Sequence, residues 1–285
     1  MIVPIFNVIT AFSLLHAPSD WRVQEKEEVK QTLRFADPAK TKEVIVDNIK
    51  GAITVSGYNG NEVQLTAIKT LRARSAEKLA EAKEKIRLEI SERDNVVELY
   101  VDGPFRSRDR ERNYRGADDY GYEVQFDFIL KVPFQTGLTL KTVNDGDIEV
   151  TNVAGEFDID NINGSVAMME VAGGGRVHAL NGEVDVRFKQ NPEYDSYFGS
   201  LNGEIKVEFL ENLSAKLRLK TFNGEIYSDF PVSSLPARAA AQEKSGSRFV
   251  YRSDRAFGVR IGNGNGPELE FDAFNGDIHI IKREN

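Results

Sequence analysis

The sequence predicts a mainly β protein: a right-handed parallel β-solenoid with one short helix in its N-terminal part. Three observations predict it. Glycines stand nine residues apart at Gly146, Gly155, Gly164, Gly173 and Gly182. Two and four positions after them come Ile148 and Val150, Phe157 and Ile159, Val166 and Met168, then Val184 and Val186, with Gly175 the one lapse. Seven positions after them come Val153, Ile162, Val171 and Leu180.

The phase of this pattern carries the fold. Positions plus two and plus four share one face of a strand, because side chains alternate. A continuous strand would bury plus six as well, so apolar residues at plus seven imply a corner once per unit and a new short strand after it. The rival is an antiparallel β meander or sandwich with Asn-Gly at its hairpin tips, which would keep alternation unbroken between turns. Asn or Asp precedes glycine at Asp145-Gly146, Asn163-Gly164, Asn181-Gly182, Asn202-Gly203, Asn223-Gly224 and Asn275-Gly276, in steps of 18, 18, 21, 21 and 52. A winding therefore takes two units, with insertions in the later ones. Both residue types tolerate positive φ, and the asparagines are expected to form a structural hydrogen-bonded ladder along the corners.

Segment by segment, residues 1–20 open with the apolar run Met1 to Leu15. It is shorter than the roughly 20 residues a membrane span needs and fits the core of a secretory signal. No Lys or Arg precedes it, and Pro18 after Ala17 makes a poor cleavage site, so a first strand is the alternative. Residues 29–102 read as N-terminal strands and a helix, cap-like in character. An early copy of the repeat lies at Gly51, Ile53, Val55, Tyr58 and Gly60, continuing to Val63, Leu65 and Ala67. The helix is predicted from Ser75 to Ile90, with Ser75 as its cap and Leu79, Ala82, Ile86 and Ile90 as its apolar stripe. Strands follow at 96–101 and 123–132, flanking a polar loop at 103–122 that reads as mobile. The repeats occupy 123–284, with an insertion at 233–258, and glycine-rich 258–266 reads as a loop.

Three features, in order, resemble the bacterial putative-adhesin family, a domain of unknown function that includes head-GIN-type proteins and companions of envelope-stress operons. They are the opening Glu43-Val-Ile-Val-Asp-Asn-Ile-Lys-Gly-Ala-Ile-Thr-Val55; the short helix between strands; and Leu130-Lys-Val-Pro-Phe134 leading into Leu138-Thr-Leu-Lys-Thr-Val-Asn-Asp-Gly-Asp-Ile-Glu-Val150. The resemblance covers most of 29–281. It implies a β-solenoid in the cell envelope, periplasmic or extracellular, and brings no catalytic residues.

The chain carries 37 Lys and Arg against 45 Asp and Glu, a net charge of −8. That balance argues against nucleic acid or an anionic membrane surface as main partner. With no cysteine, disulfides, thiolate metal sites and Cys nucleophiles are excluded. The three histidines, His16, His178 and His279, are far apart, and a zinc site wants three or four convergent ligands. No nucleophile-elbow, phosphate-loop or zinc-protease motif occurs, so no catalytic residue, metal or cofactor is expected. The acids Asp147, Glu156, Glu183, Glu204, Glu225 and Asp277 follow the corner glycines and read as a solvated face rather than a calcium lane. Tyr194, Tyr197 and Phe198 are the first candidate contact surface, as an aromatic protrusion. Arg108, Arg110 and Arg112, with Arg106 and Arg115, form a basic loop and a second candidate.

The function expected is that of a non-catalytic, adhesin-like or scaffolding protein of the envelope that presents a rigid repeat face to an envelope protein or glycan. The alternatives are an accessory modulator of an envelope-stress response and a polysaccharide-active β-helix enzyme using outward Glu149, Asp185 and Lys206.

Overall fold

The computed structural model describes residues 7–11, 21–37, 39–106, 119–236, 241–245, 248–252 and 257–283. The chain divides into two compact units, Met1–Gly164 and Ser165–Asn285. Both are mainly β, and the described residues hold one helix, which is not long and apolar enough to cross a membrane.

Unit one contains β1 (Asn7–Ala11), β2 (Val23–Arg34), β3 (Glu43–Asp47), β4 (Ile53–Tyr58), β5 (Glu62–Ala73), α1 (Ala76–Lys85), β6 (Arg87–Arg93), β7 (Val96–Asp102), β8 (Tyr122–Pro133), β9 (Gly137–Thr142), β10 (Ile148–Thr151) and β11 (Phe157–Asn163). One row of hydrogen-bonded strands runs β1-β2-β5-β8-β4-β10 and another β11-β9-β3-β7-β6. The pairs β1–β2, β2–β5, β5–β8 and β6–β7 are antiparallel. The pairs β8–β4, β4–β10, β7–β3, β3–β9 and β9–β11 are parallel. The early strands read as cap-like thus pair directly with repeat strands: Val44 faces Leu138 and Ile53 faces Ile148. Residues from both rows, among them Val46, Ile53, Val55, Leu130, Leu140, Ile148 and Ile159, make a dry core.

The helix starts where predicted. Ser75 is extended at the N-cap and accepts a hydrogen bond from the Lys78 N–H, and Leu79 and Ala82 are buried. It ends sooner than predicted: Ile86 is extended, and Ile90 sits on β6 opposite Leu99. The stretch Arg87-Leu88-Glu89-Ile90-Ser91 alternates polar and apolar with period two, and that pattern, not the helical one, decides it.

Unit two contains β12 (Val166–Val171), β13 (Gly175–Asn181), β14 (Val184–Phe188), β15 (Ser196–Asn202), β16 (Ile205–Leu210), β17 (Ala215–Asn223), β18 (Ile226–Ser228), β19 (Val232–Ser234), β20 (Ala241–Ser245), β21 (Arg248–Arg252), β22 (Phe257–Ile261), β23 (Glu268–Asn275) and β24 (Ile278–Arg283). Its rows run β12-β14-β16-β24-β18 and β13-β15-β23-β17-β22-β19, with β20 and β21 an antiparallel pair apart. Pairing in the first row is parallel. In the second, β13, β15, β23 and β17 pair in parallel, while β22 is antiparallel to both β17 and β19. The Asn-Gly dipeptides at 181–182, 202–203, 223–224 and 275–276 each join strands of different rows, so none of these four sits at an antiparallel hairpin tip.

Three expectations are corrected. The rows are mixed, not purely parallel, because long amphipathic strands such as β2 and β5 pair antiparallel, as does β22 between β17 and β19. Gly258 is not in a loop but in β22, where Val259 and Ile261 are buried opposite Leu217 and Ala215. The plus-seven rule holds at only half the corners. Asn152 (φ 58°) and Glu170 (φ 55°) are left-handed; each flips the alternation, and Val153 and Val171 are buried. Ahead of Asn163 and Asn181 the alternation runs on, so Asn161 and Ala179 are buried at plus six while Ile162 and Leu180 are only half-buried.

Candidate binding surface

The repeat builds an ordered surface around the Asn-Gly corners of unit two. The register brings Asn181, Asn202, Asn275 and Asn223 into one file across β13, β15, β23 and β17. Each amide bridges to the next: Asn202 Nδ2 donates to Asn181 Oδ1, Asn275 Nδ2 to Asn202 Oδ1, and Asn223 Nδ2 to Asn275 Oδ1, all at 2.8 Å. The glycines beside them stack backbone on backbone. A Cβ on Gly203 would lie 2.1 Å from the Gly182 carbonyl oxygen, one on Gly276 2.1 Å from that of Gly203, and one on Gly224 2.1 Å from that of Gly276. No side chain fits there, which is why the corner residue is always glycine.

On the inner side of this file lie Ala179, Ser200, Ala273 and Thr221, two residues before each asparagine. Ser200 Oγ donates to the Gly182 carbonyl (2.9 Å) and Thr221 Oγ1 to that of Gly276 (3.1 Å). Unit one repeats the device: Thr142 Oγ1 donates to the Gly51 carbonyl and Asn161 Nδ2 to that of Gly146, each at 3.0 Å. These tethers were not recognised in the sequence, although a small or hydroxyl residue two places before Asn-Gly is a readable signal.

On the outer side lie Leu180, Leu201, Phe274 and Phe222, each directly before its asparagine and therefore on the opposite face. Leu201, Phe274 and Phe222 are 37%, 45% and 59% exposed. The Phe222 and Phe274 rings stack 4.9 Å apart and 5° from parallel. This exposed apolar file also escaped the sequence reading, because Leu180 was assigned to the core. Carrying the alternation through plus six would have found it.

Past the glycines, Glu183, Glu204, Asp277 and Glu225 form a carboxylate file, tied by backbone bonds from Val184 N–H to Glu204 O, Ile205 N–H to Asp277 O and Ile278 N–H to Glu225 O. Two of its carboxylates have side-chain partners. Glu204 pairs with Lys206 at 2.6 Å, and that contact holds the lysine above its usual pKa. Tyr227 donates to Glu225 at 2.6 Å, and its phenol is held up by that bond. Two residues on, Asp185, Lys206, His279 and Tyr227 share a register position, with His279 and Tyr227 stacked at 4.9 Å. Burial pushes the Asp185 carboxyl up, opposed by Lys206 and Arg187. Of the acid–base trio named from the sequence, Asp185 and Lys206 are neighbours here and Glu149 belongs to β10 of unit one. Among the described residues no group of three or more His, Asp or Glu could hold a metal ion.

The contact residues named from the sequence fare differently. Tyr194 is 63% exposed. Tyr197 is half-buried, its phenol pushed up by burial, with the Arg176 guanidinium 5.6 Å from its ring centre. Phe198 is not on the surface: it is fully buried, 5.2 Å from the Phe271 ring and edge-on to Phe188 at 6.2 Å. Alternation along β15 turns it inward. Arg108, Arg110 and Arg112 lie outside the described residues. Arg106, counted with them from the sequence, is a buried anchor. Its Nη2 donates to Asp47 Oδ1 (2.9 Å) and to the Asp47 carbonyl (3.0 Å), its Nε donates to the Val101 carbonyl (3.0 Å), and its guanidinium lies 4.5 Å from the Tyr100 ring centre.

No protein-family model matches the chain, and no curated protein matches it significantly. Similar solved structures include a putative cell adhesion protein from Clostridium sporogenes, 12% identical over 89% of this chain and 100% of that one, with a TM-score of 0.41. A putative adhesin from Bacteroides fragilis is 11% identical over 89% and 97%, with a TM-score of 0.41. A putative lipid binding protein from Parabacteroides distasonis is 10% identical over 90% and 97%, with a TM-score of 0.32.

Proposed function

We propose that the chain is a non-catalytic, adhesin-like binding protein of the cell envelope, built as a right-handed parallel β-solenoid that offers a rigid face to an envelope protein. The coil reading is supported by strands that alternate between two rows and meet parallel partners two strands on, as Val184 meets Ile205. Its hand follows the strong preference of parallel crossovers. The envelope location is supported by the family resemblance of Glu43–Val55 and Leu130–Val150.

One observation carries the binding reading: the file Leu201, Phe274, Phe222, exposed beside an ordered amide ladder and continued by half-buried Leu180. Contiguous exposed apolar residues rimmed by polar groups mark interaction surfaces, and aromatic residues are enriched in interface cores. The file is pre-organised, since stacked strands and bridged amides hold it before any partner arrives, and that lowers the ordering cost of binding. Phe274 stands between Leu201 and Phe222 in the file and stacks on Phe222, so the file presents ring edges. Edges suit packing against apolar side chains better than the face-on stacking that sugars take.

The test is capture from detergent-solubilised envelope by immobilised wild type, the double variant Phe222→Ser/Phe274→Ser, and Tyr194→Ser. The expected result is a discrete protein partner retained at least tenfold less by the double variant and equally by Tyr194→Ser. Equal retention by the double variant refutes this surface. A glycan-array signal lost in the double variant moves the partner from protein to glycan.

A further inference from the structure

The last strands of the chain are not last in their rows. β23 and β24 stand between strands that precede them in sequence, in the orders β15-β23-β17 and β16-β24-β18. The segment Glu268–Arg283 is paired in parallel on both sides: Phe271 lies opposite Phe198 and Leu219, and Ile278 opposite Ile205 and Ile226. Its Leu269, Phe271, Ala273, Ile278 and Ile280 are buried, and Asn275 bridges Asn202 and Asn223. Without this segment, β15 and β16 lack a neighbour each that they have in the fold. Between β18 and β23 the chain runs through residues 229–267.

Three segments at this place spell nearly the same text: Leu201-Asn-Gly-Glu-Ile205, Phe222-Asn-Gly-Glu-Ile226 and Phe274-Asn-Gly-Asp-Ile278. The match between slot and segment is therefore set by a repeat that every copy of the chain carries. Register and corner packing do not distinguish the chain's own segment from that of a second copy. An empty slot would leave four strands, β15, β17, β16 and β18, with unpaired backbone groups and Phe198 and Leu217 without their cover, so it must be filled. The hinge into the slot is short: β22 is paired on β17 and residues 262–267 alone lead from it to Glu268, and a short hinge is the kind of connection that invites a segment to leave its own copy for another.

We propose that this slot is a strand-exchange site, which accepts Glu268–Arg283 from a second copy of the same chain and so links copies, the domain-swapping route to assembly. It holds whether or not the outer file binds a partner.

The chain has no cysteine, so introduced thiols report cleanly. Lys220 and Asp272 are partners across β17 and β23, with an exposed ion pair at 2.7 Å, and neighbouring strands suit disulfide geometry. Full-length Lys220→Cys and Asp272→Cys, carrying tags of different mass, are unfolded together in urea, refolded at two concentrations tenfold apart, and oxidised. The expected product is a mixed disulfide at least tenfold in excess of either homodimer, with a yield that rises with concentration. A mixed product no more than twice either homodimer, as random collision gives, overturns the proposal. A second measurement needs no substitution. Light scattering on the unaltered chain, refolded at the same two concentrations, shows dimers or longer species that persist on dilution if strands exchange, whereas monomer throughout overturns it.

Discussion

The two units use the same corner chemistry on opposite sides of the backbone. In unit one the amides work inside: Asn48 Nδ2 donates to the carbonyls of Gly51 (3.1 Å) and Phe126 (2.8 Å), and Asn161 to that of Gly146, both asparagines buried. In unit two the inner positions are Ala179, Ala273, Ser200 and Thr221, and the amides stand outside as an exposed ladder. Unit one also has an exposed amide pair, Asn163 to Asn144 at 2.8 Å, and both units carry inner tethers, buried amides with Thr142 in unit one and the Ser200 and Thr221 hydroxyls in unit two. A buried amide fixes register because an unmet donor or acceptor there costs the full desolvation penalty. An exposed ladder adds little stability and leaves an ordered surface free for contact. Unit one is therefore built for register, unit two for presentation.

The largest expected effect probes what both units share. Gly276→Val places a Cβ 2.1 Å from the Gly203 carbonyl oxygen, and backbone cannot yield as a side chain can. The loss should reach about 4 kcal/mol or more, seen as failure to fold at ordinary growth temperature. Gly137→Ala, where the nearest atom is 3.4 Å away, should shift the urea midpoint hardly at all. Equal behaviour of the two would remove the stacking argument.

Next comes the buried anchor of unit one. Arg106→Ala strands the Asp47 carboxylate inside and should cost about 3–5 kcal/mol. Adding Asp47→Leu should recover most of it, because the penalty lies in the unpaired charge. No recovery would mean that Arg106 acts through its packing on Tyr100.

The asparagines then split the units directly. Asn161→Ala should cost about 1–3 kcal/mol and Asn202→Ala, at the exposed ladder, about 0.5–1 kcal/mol. Denaturant midpoints of the two variants measured side by side decide it, and the reverse order would contradict the division of labour between the units.

Much of this was legible in the sequence. The glycine period, the inward pairs such as Ile148/Val150 and Val184/Val186, the Ser75 cap and the Asn-Gly file all follow from alternation and close approach, which are local properties. Three things were not. The left-handed Asn152 and Glu170 set where alternation flips, and of the two only Asn is a type that favours that region, so the repeat alone places Leu180 inward. Phe198 looked like surface because Tyr194 and Tyr197 beside it do; strand parity separates them only once the start of β15 is known. The position of β23 between β15 and β17 is a long-range choice among near-identical segments, which no local pattern can make.

That choice is the point most open to direct measurement. With isoleucine δ1 methyls labelled, NOE spectra should show Ile278 close to both Ile205 and Ile226, with no cross-peak joining Ile205 to Ile226. A direct Ile205–Ile226 cross-peak, with Ile278 away from one of them, would mean that the windings follow chain order, and both the aromatic file and the exchange slot would lose their basis.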